Sequence, residues 1–426
     1  MGQDSPHPAS ALAQFLAINR TVAIVLIAVL CFGLGEELWS SFLPVYLKDL
    51  LKPLDKSAIP AVAATTLWAV GVYACLRNLF EGFCYVGGGH LTARLGDRGS
   101  LLFFGLMTLA GYVLFLTVEA PAAVIAAALL ILGWEPLSVP VTFTTVGATV
   151  SAESRGMAFA VQSIQKRLPK ILGPLIAGFV LGWTARTMGS PEAGRILGMH
   201  LLVGTSLALG VASIAIQLRW MPHRPPPPNG TPLREVWRQF PPVLRRLLVA
   251  EMFTRYCDWI TRELVVLYLV LERDVSVVAA GSLFALQNTV ALLTYLPIGR
   301  MTRTTGVSLF IGWTFIFFAV FPLALLWVPT AWLAVAFVIQ GLREIGEPGR
   351  KALITSHLPE EVRARGVGLY WGLRSFAFCT APLTGVVLWL TIGSQGMLYA
   401  SFGLGCVGAA VFYLFCRPSA KVAVQT

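Results

Sequence analysis

The sequence predicts an all-α polytopic membrane protein with twelve transmembrane helices in two similar six-helix halves. Three observations carry that prediction. Of 426 residues, 56% are hydrophobic and 12% charged, about half the charged share of a soluble domain. Apolar stretches of the roughly 20 residues that a bilayer core demands recur along the chain, separated by short polar connections. Landmarks of the first half return in the second, in the same order, at an offset near 210 residues. A transmembrane β-barrel would need alternating strands of about ten residues, and no such alternation is visible.

In order, the spans fall at 20–47, 62–90, 99–119, 122–149, 156–185, 195–218, 242–271, 276–301, 307–328, 330–356, 363–391 and 395–416. The third, sixth and twelfth are clean apolar runs; the first, second, fifth, seventh, tenth and eleventh are long and carry charges. Residues 1–19 read as a polar cytoplasmic tail without the basic, apolar, small-residue order of a cleaved signal. Pro6 stands where a myristoylation pattern needs Ser or Thr, so the first apolar segment is expected to be a true span. The two bundles, 20–218 and 242–416, are joined by a cytoplasmic linker at 219–241 rich in Pro and Arg, and 417–426 forms a second tail. An amphipathic helix over 232–240 is expected on the membrane surface.

Lys and Arg mark the cytoplasmic loops. With both termini inside, that side holds eighteen of them, Arg350, Lys351, Arg363 and Arg365 included, against six opposite. The net charge of +11 is largely this bias, and a nucleic-acid partner is not needed to explain it. The seven cysteines form no CxxC pair and read as small packing residues. Neither a metal nor a cofactor site is expected: the five histidines do not cluster, and there is no HExxH, phosphate-binding Gly-rich loop or GxSxG to indicate an enzyme.

The duplication is specific. Gly89 to Gly96 matches Gly299 to Gly306, Glu135-Pro136 matches Glu347-Pro348, Arg155-Gly156 matches Arg365-Gly366, and Gly173-Pro174 roughly matches Ala381-Pro382. Internal repeats of this kind are typical of secondary transporters, whose substrate site lies between the repeats near the midplane.

GHLTARLGDRGSLLFFG, residues 89–105, resembles the signature loop after the second helix of the major facilitator superfamily, with Gly89, Arg94, Gly96 and Arg98 in register. Ala93 stands where that family has aspartate, and Asp97 where it often has a base. The tail of GPLIAG at Gly173 and Pro174 resembles the fifth-helix motif of its antiporters, and 347–376 resembles its bacterial members. The resemblance implies the major facilitator fold and a central cavity about which the halves rock; the short loops suggest a bacterial inner membrane, and a monomer is expected. Gly89, Arg94, Gly96, Asp97 and Arg98, with Gly299, Arg303 and Gly306, would then form the cytoplasmic latch, with Asp97 available to the gate in a shifted geometry.

Ionisable groups inside spans cost roughly 2.5–3.5 kcal/mol each on insertion scales, so they are kept for pairing or for a cavity. With the groups near span ends and those counted above as cytoplasmic left out, eight bases and nine acids remain inside the spans, close to balance. Arg77 and Glu81, and Arg343 and Glu347, are four residues apart and read as helical pairs. Glu251, Arg255, Asp258 and Arg262 line one face of the seventh span as either a structural ladder or a wall of the transport path. Glu36 and Glu37 lie about 24 Å into the first span, about 100° apart, so one would face the cavity and the other a neighbouring helix. A carboxyl that alternates between an unpaired buried state and a place beside a base would load and release a proton; alternatively, both acids only hold helices together. Trp39 and Phe42 are expected to continue that helix and offer a stacking surface.

In the fifth span Gln162, Lys166 and Lys170 recur every four residues, with Arg167 alongside and Arg374 opposite by the repeat. Such bases suit an anionic or zwitterionic substrate, or serve as counter-ions of Glu36, Glu37, Glu135 or Glu347. The expected proton-coupling groups are Glu36, Glu37 and Asp258. The expected substrate groups are Trp39, Gln162, Lys166, Arg167, Arg255, Arg262, Gln287, Asn288, Tyr370 and Arg374. The partners are a small-molecule substrate, protons and lipid. Proton-coupled export by antiport is the first expectation; proton symport of an organic anion, or a non-transporting scaffold or receptor, are the alternatives.

Overall fold

The computed structural model describes residues 20–43, 46, 59–151, 154–221, 232–275 and 277–416. Both expected tails and residues 222–231 of the linker lie outside them. Among the described residues every regular element is helical. Helix α1 is Arg20–Glu37. One continuous stretch, Ile59–Thr117, breaks at Gly96 into α2 and α3. Pro121–Leu132 and Trp134–Thr149 make α4, Arg155–Thr187 α5 and Pro191–Trp220 α6. A short linker helix, Leu233–Arg238, precedes α7, which is Pro242–Thr261 plus Val265–Leu271. Next come α8 (Val277–Thr305), α9 (Val307–Trp327) and α10 (Leu333–Leu342 plus Glu347–His357). Arg363–Phe378 and the part of Ala381–Val411 before Gly393 make α11; the rest, with Phe412–Cys416, makes α12.

Seven described stretches are long and apolar enough to cross a bilayer. Two of them, Val70–Thr117 and Glu360–Cys416, have 48 and 57 residues and so supply two crossings each. The remaining crossings are α1, α7 and α10, where charges or breaks interrupt the apolar run. The tight turns fall where only glycine is comfortable: Gly96 and Gly306, partners in the repeat, have φ of 71° and 82°.

Five crossings are discontinuous, and all the breaks except that of α11 at Cys379-Thr380 coincide with charges. Helix α1 stops at Glu37 and gives way to a 3₁₀ turn at Ser40–Phe42, so the expected continuous helix over 20–47 is not formed. Helix α4 restarts at Trp134-Glu135-Pro136, and α10 at Glu347-Pro348. This explains the repeated Glu-Pro pair. Proline is tolerated in the first turn because its missing N–H would have no helical partner, and a carboxylate there complements the positive end of the helix dipole. Helix α7 breaks between Thr261 and Val265.

The halves share one core at the end of the molecule that holds the α2–α3 turn. There Val139, Phe143, Val146 and Phe159 pack with Ile354, Leu358, Val362 and Trp371, and the linker helix adds Val236 and Phe240. At the opposite end the cores are separate: one is built from α1 and α3–α6, the other from α7–α12 with Leu67 and Val70 of α2. Close crossings join the halves. A Cβ on Gly89 would stand 2.7 Å from the Ala364 carbonyl, and one on Gly299 2.9 Å from the Ala160 Cβ, so α2 meets α11 and α5 meets α8 backbone to backbone.

Candidate functional site

Between the halves lies a cavity of two lobes, about 190 and 150 Å³. Arg255, Arg262 and Arg374, with Tyr85 and Glu135, face both lobes. The larger lobe adds Lys166, Arg167, Lys170, Arg350 and Lys351, with Glu344 and Glu347. The smaller adds Arg77, with Glu36 and Glu81. Nine bases thus face five carboxylates.

Behind the lining the ions are tied into a network. Glu251 of α7, 2% exposed, meets Arg350 of α10 at 2.8 Å and Arg374 of α11 at 3.5 Å. Asp258 sits among Arg343, Arg262 (3.3 Å) and Arg255 (4.0 Å). On α7 the two acids therefore point into the bundle and the two bases toward the cavity. Arg343 and Glu347 do not pair, because the α10 break falls between them: Arg343 turns to Asp258, while Glu347 meets Arg350 and Lys351. Arg77 and Glu81 do pair, at 3.1 Å.

Several links cross between the halves. Arg167 of α5 meets Glu344 at 3.0 Å and donates to Asn288 Oδ1 at 2.7 Å and to the Tyr295 hydroxyl at 3.3 Å. The Lys351 ammonium donates to Gln162 and Ser163, each at 3.2 Å. Lys166 meets Glu135 at 2.9 Å within the first half.

Glu36 and Glu37 end α1 at the negative end of its dipole, an unfavourable place for carboxylates. Lys170 of α5 offsets this, 3.9 Å from Glu37. The approach depends on Gly173, where a Cβ would stand 2.6 Å from the Glu37 Cβ. Pro174 follows it inside α5. Glu36 faces the smaller lobe and, among the described residues, has no ion-pair partner. Both acids also line a side pocket of about 20 Å³, beside Gln165.

Some expected site residues lie elsewhere. Trp39, fully buried, lies tilted against Phe115 in the core of the first half; the helix ends before it, so it cannot continue the Glu36 face. Tyr370 packs between Phe240 and Trp371 in the shared core, and its neighbour Trp371 reaches the cavity instead. Gln287 is buried where α8 crosses Gly341 of α10. Asp97 accepts from the Thr144 and Thr145 hydroxyls of α4, at 2.7 and 3.1 Å, within its own half. Arg98 donates to the Leu218 and Met221 carbonyls at the end of α6. Arg94 is exposed, and the Arg303 side chain lies outside the described residues.

Arg350 and Lys351, expected in a cytoplasmic loop, are instead buried in the cavity wall, 6% and 5% exposed. The repeat could have found them: aligning Glu347-Pro348 with Glu135-Pro136 sets them opposite Ser138 and Val139, well inside the fourth span. The inside bias becomes sixteen against six without them, and the intramembrane set becomes ten bases against nine acids.

Residues 247–425 match the family model of the Major Facilitator Superfamily, and the whole chain folds like solved members of that architecture. The second half of the chain thus matches the major facilitator superfamily in sequence, and the chain has the major facilitator fold. It is similar to the crystal structure of the human organic anion transporter MFSD10 (TETRAN), with a TM-score of 0.71 and 16% identity over 92% of this chain and 98% of that one. It is also similar to a bacterial homologue of the iron transporter ferroportin in the outward-facing state with soaked iron, with a TM-score of 0.67 and 13% identity over 93% and 99% of the two chains. No curated protein matches it in sequence. The sequence match and the fold together support a multi-pass membrane transporter.

Proposed function

We propose that this protein carries a small organic anion across the membrane by alternating access, in symport with a proton held on Glu36. The supporting observation is the cavity lining: nine bases against five carboxylates, drawn from both halves. Organic anion is also the cargo class named for the human protein of similar fold. The groups around Glu36 are Glu37 on its own helix, Glu135 of α4, Lys170 of α5, Arg77 and Tyr73 of α2, and Tyr112 of α3. A proton on Glu36 removes one negative charge from the cavity. Proton and anion then favour each other's binding, and by linkage the coupling is reciprocal. The shared core at the α2–α3 end, the cytoplasmic side by arginine bias, would be the closed gate.

A second reading, proton-coupled export by antiport, rests on the Gly173-Pro174 motif and on Glu36 having no ion-pair partner among the described residues. It requires a cargo that competes with the proton for that carboxylate, which means a cationic group. Proteoliposomes with an imposed proton gradient and pooled organic anions and cations distinguish the two. Symport predicts that anions accumulate with inwardly directed protons. Glu36→Gln should lose gradient-driven accumulation yet keep anion exchange. Cation accumulation driven by an acidic lumen would replace this reading with export.

A further inference from the structure

Three cations of the larger lobe meet carboxylates only at 3.5 Å or beyond and make no hydrogen bond among the described residues. Arg255 stands 3.8 Å from Glu347, Arg374 3.5 Å from Glu251, and Lys170 3.9 Å from Glu37. The other cations of that lobe are held more closely or by more bonds; Lys351, for instance, adds Gln162 and Ser163 to its carboxylate. Arg374 is 8% exposed, and its Nε and Nη1 make no hydrogen bond among the described residues. An aromatic ring covers one face of each guanidinium, Phe318 at 4.7 Å from Arg255 and Trp371 at 5.0 Å from Arg374. The rings leave the N–H edges of these two arginines clear, the geometry that binds carboxylate or phosphate in bidentate fashion.

The loosely held groups come from both halves: Arg255 and Arg374 from α7 and α11, Lys170 from α5. We propose that the cargo is a small hydrophilic dianion that bridges them, one anionic group on Arg255 and Arg374 and the other on Lys170. This rests on the anion reading above and narrows it. The charge count agrees. Ten bases and nine acids leave the intramembrane set at +1, and one proton on Glu36 raises it to +2, which a dianion neutralises. A cargo that touches both halves also gives each half a reason to close on it, since only differential contact between states shifts their populations.

The test is binding to the purified full-length protein in nanodiscs by titration calorimetry, with charge-varied pairs of similar shape: succinate against butyrate, and phthalate against benzoate. At least one dianion should bind about tenfold or more tighter than its monoanion, the gain expected from one further charge-assisted contact. Lys170→Met should reduce that ratio to about one, and Lys170→Arg should restore it. Size-exclusion profiles confirm that each variant folds. Equal affinity within both pairs, or a ratio indifferent to Lys170→Met, overturns the dianion proposal and leaves the anion reading standing. Binding of no anion at all overturns both.

Discussion

Glu251 holds two guanidinium groups, Arg350 and Arg374, that are only 6% and 8% exposed. Removing one member of a buried ion pair strands its partner's charge, at a cost of about 3–5 kcal/mol. Glu251→Ala should therefore lower the unfolding temperature of the detergent-solubilised protein sharply. Glu251→Gln, which keeps an acceptor and the volume, should fall between. A melting curve unchanged in Glu251→Ala would show that water already solvates both arginines. The sequence placed Glu251, Arg255, Asp258 and Arg262 on one helical face, and the structure divides that face between network and cavity. That division was not legible, because it depends on Arg343, Arg350 and Arg374, which arrive from α10 and α11. The misplacement of Arg350 and Lys351 has a local cause: glycine and proline in EPGRKAL resemble a loop, although here they restart a helix.

The broken helices form a repeated pattern. The offset that pairs Glu135-Pro136 with Glu347-Pro348 pairs two restart points, and α1 and α7 break beside their own charges. Span number and repeat were readable from composition and period, whereas a break of two or three residues inside an apolar run leaves almost no hydropathy signal. Trp39 was misassigned for that reason. The linker helix was legible as an amphipathic segment, but its docking site was not. Val236 and Phe240 are buried in the core shared by the halves, and Arg245 fastens the helix by donating to the Trp237 and Arg238 carbonyls at 2.9 and 3.1 Å. Phe240→Ala should remove about 3–5 kcal/mol of packing, and the closed form of this end bears the loss. In a variant with the native cysteines replaced, a thiol placed by Val146→Cys should label about tenfold or more faster once Phe240 is truncated. Labelling at the parent rate would mean that the linker helix rides on the second half without bracing the gate.

At the scale of the whole molecule, a shared core at one end and separate cores at the other make a lever. If transport proceeds by rocking, the shared core must part in every cycle, and a covalent tie across it must stop turnover. Gly147 of α4 and Thr355 of α10 offer the place, since a Cβ on Gly147 would stand 2.9 Å from the Thr355 Cγ2. Adding one C–C bond of about 1.5 Å keeps the two Cβ atoms within about 4.4 Å, inside the range a disulfide needs. In the cysteine-replaced background, Gly147→Cys with Thr355→Cys should cross-link under mild oxidation. A protease site inserted in the linker at 222–231 then reports the tie, because the cleaved halves stay together until reduced. Oxidation should abolish transport in proteoliposomes, reductant should restore it, and the oxidised protein should still bind cargo from the opposite side. That last measurement separates a locked gate from a damaged site. Full transport by verified cross-linked protein would show that this core never opens, and the rocking of one half against the other would have to be abandoned for a motion confined to the opposite end.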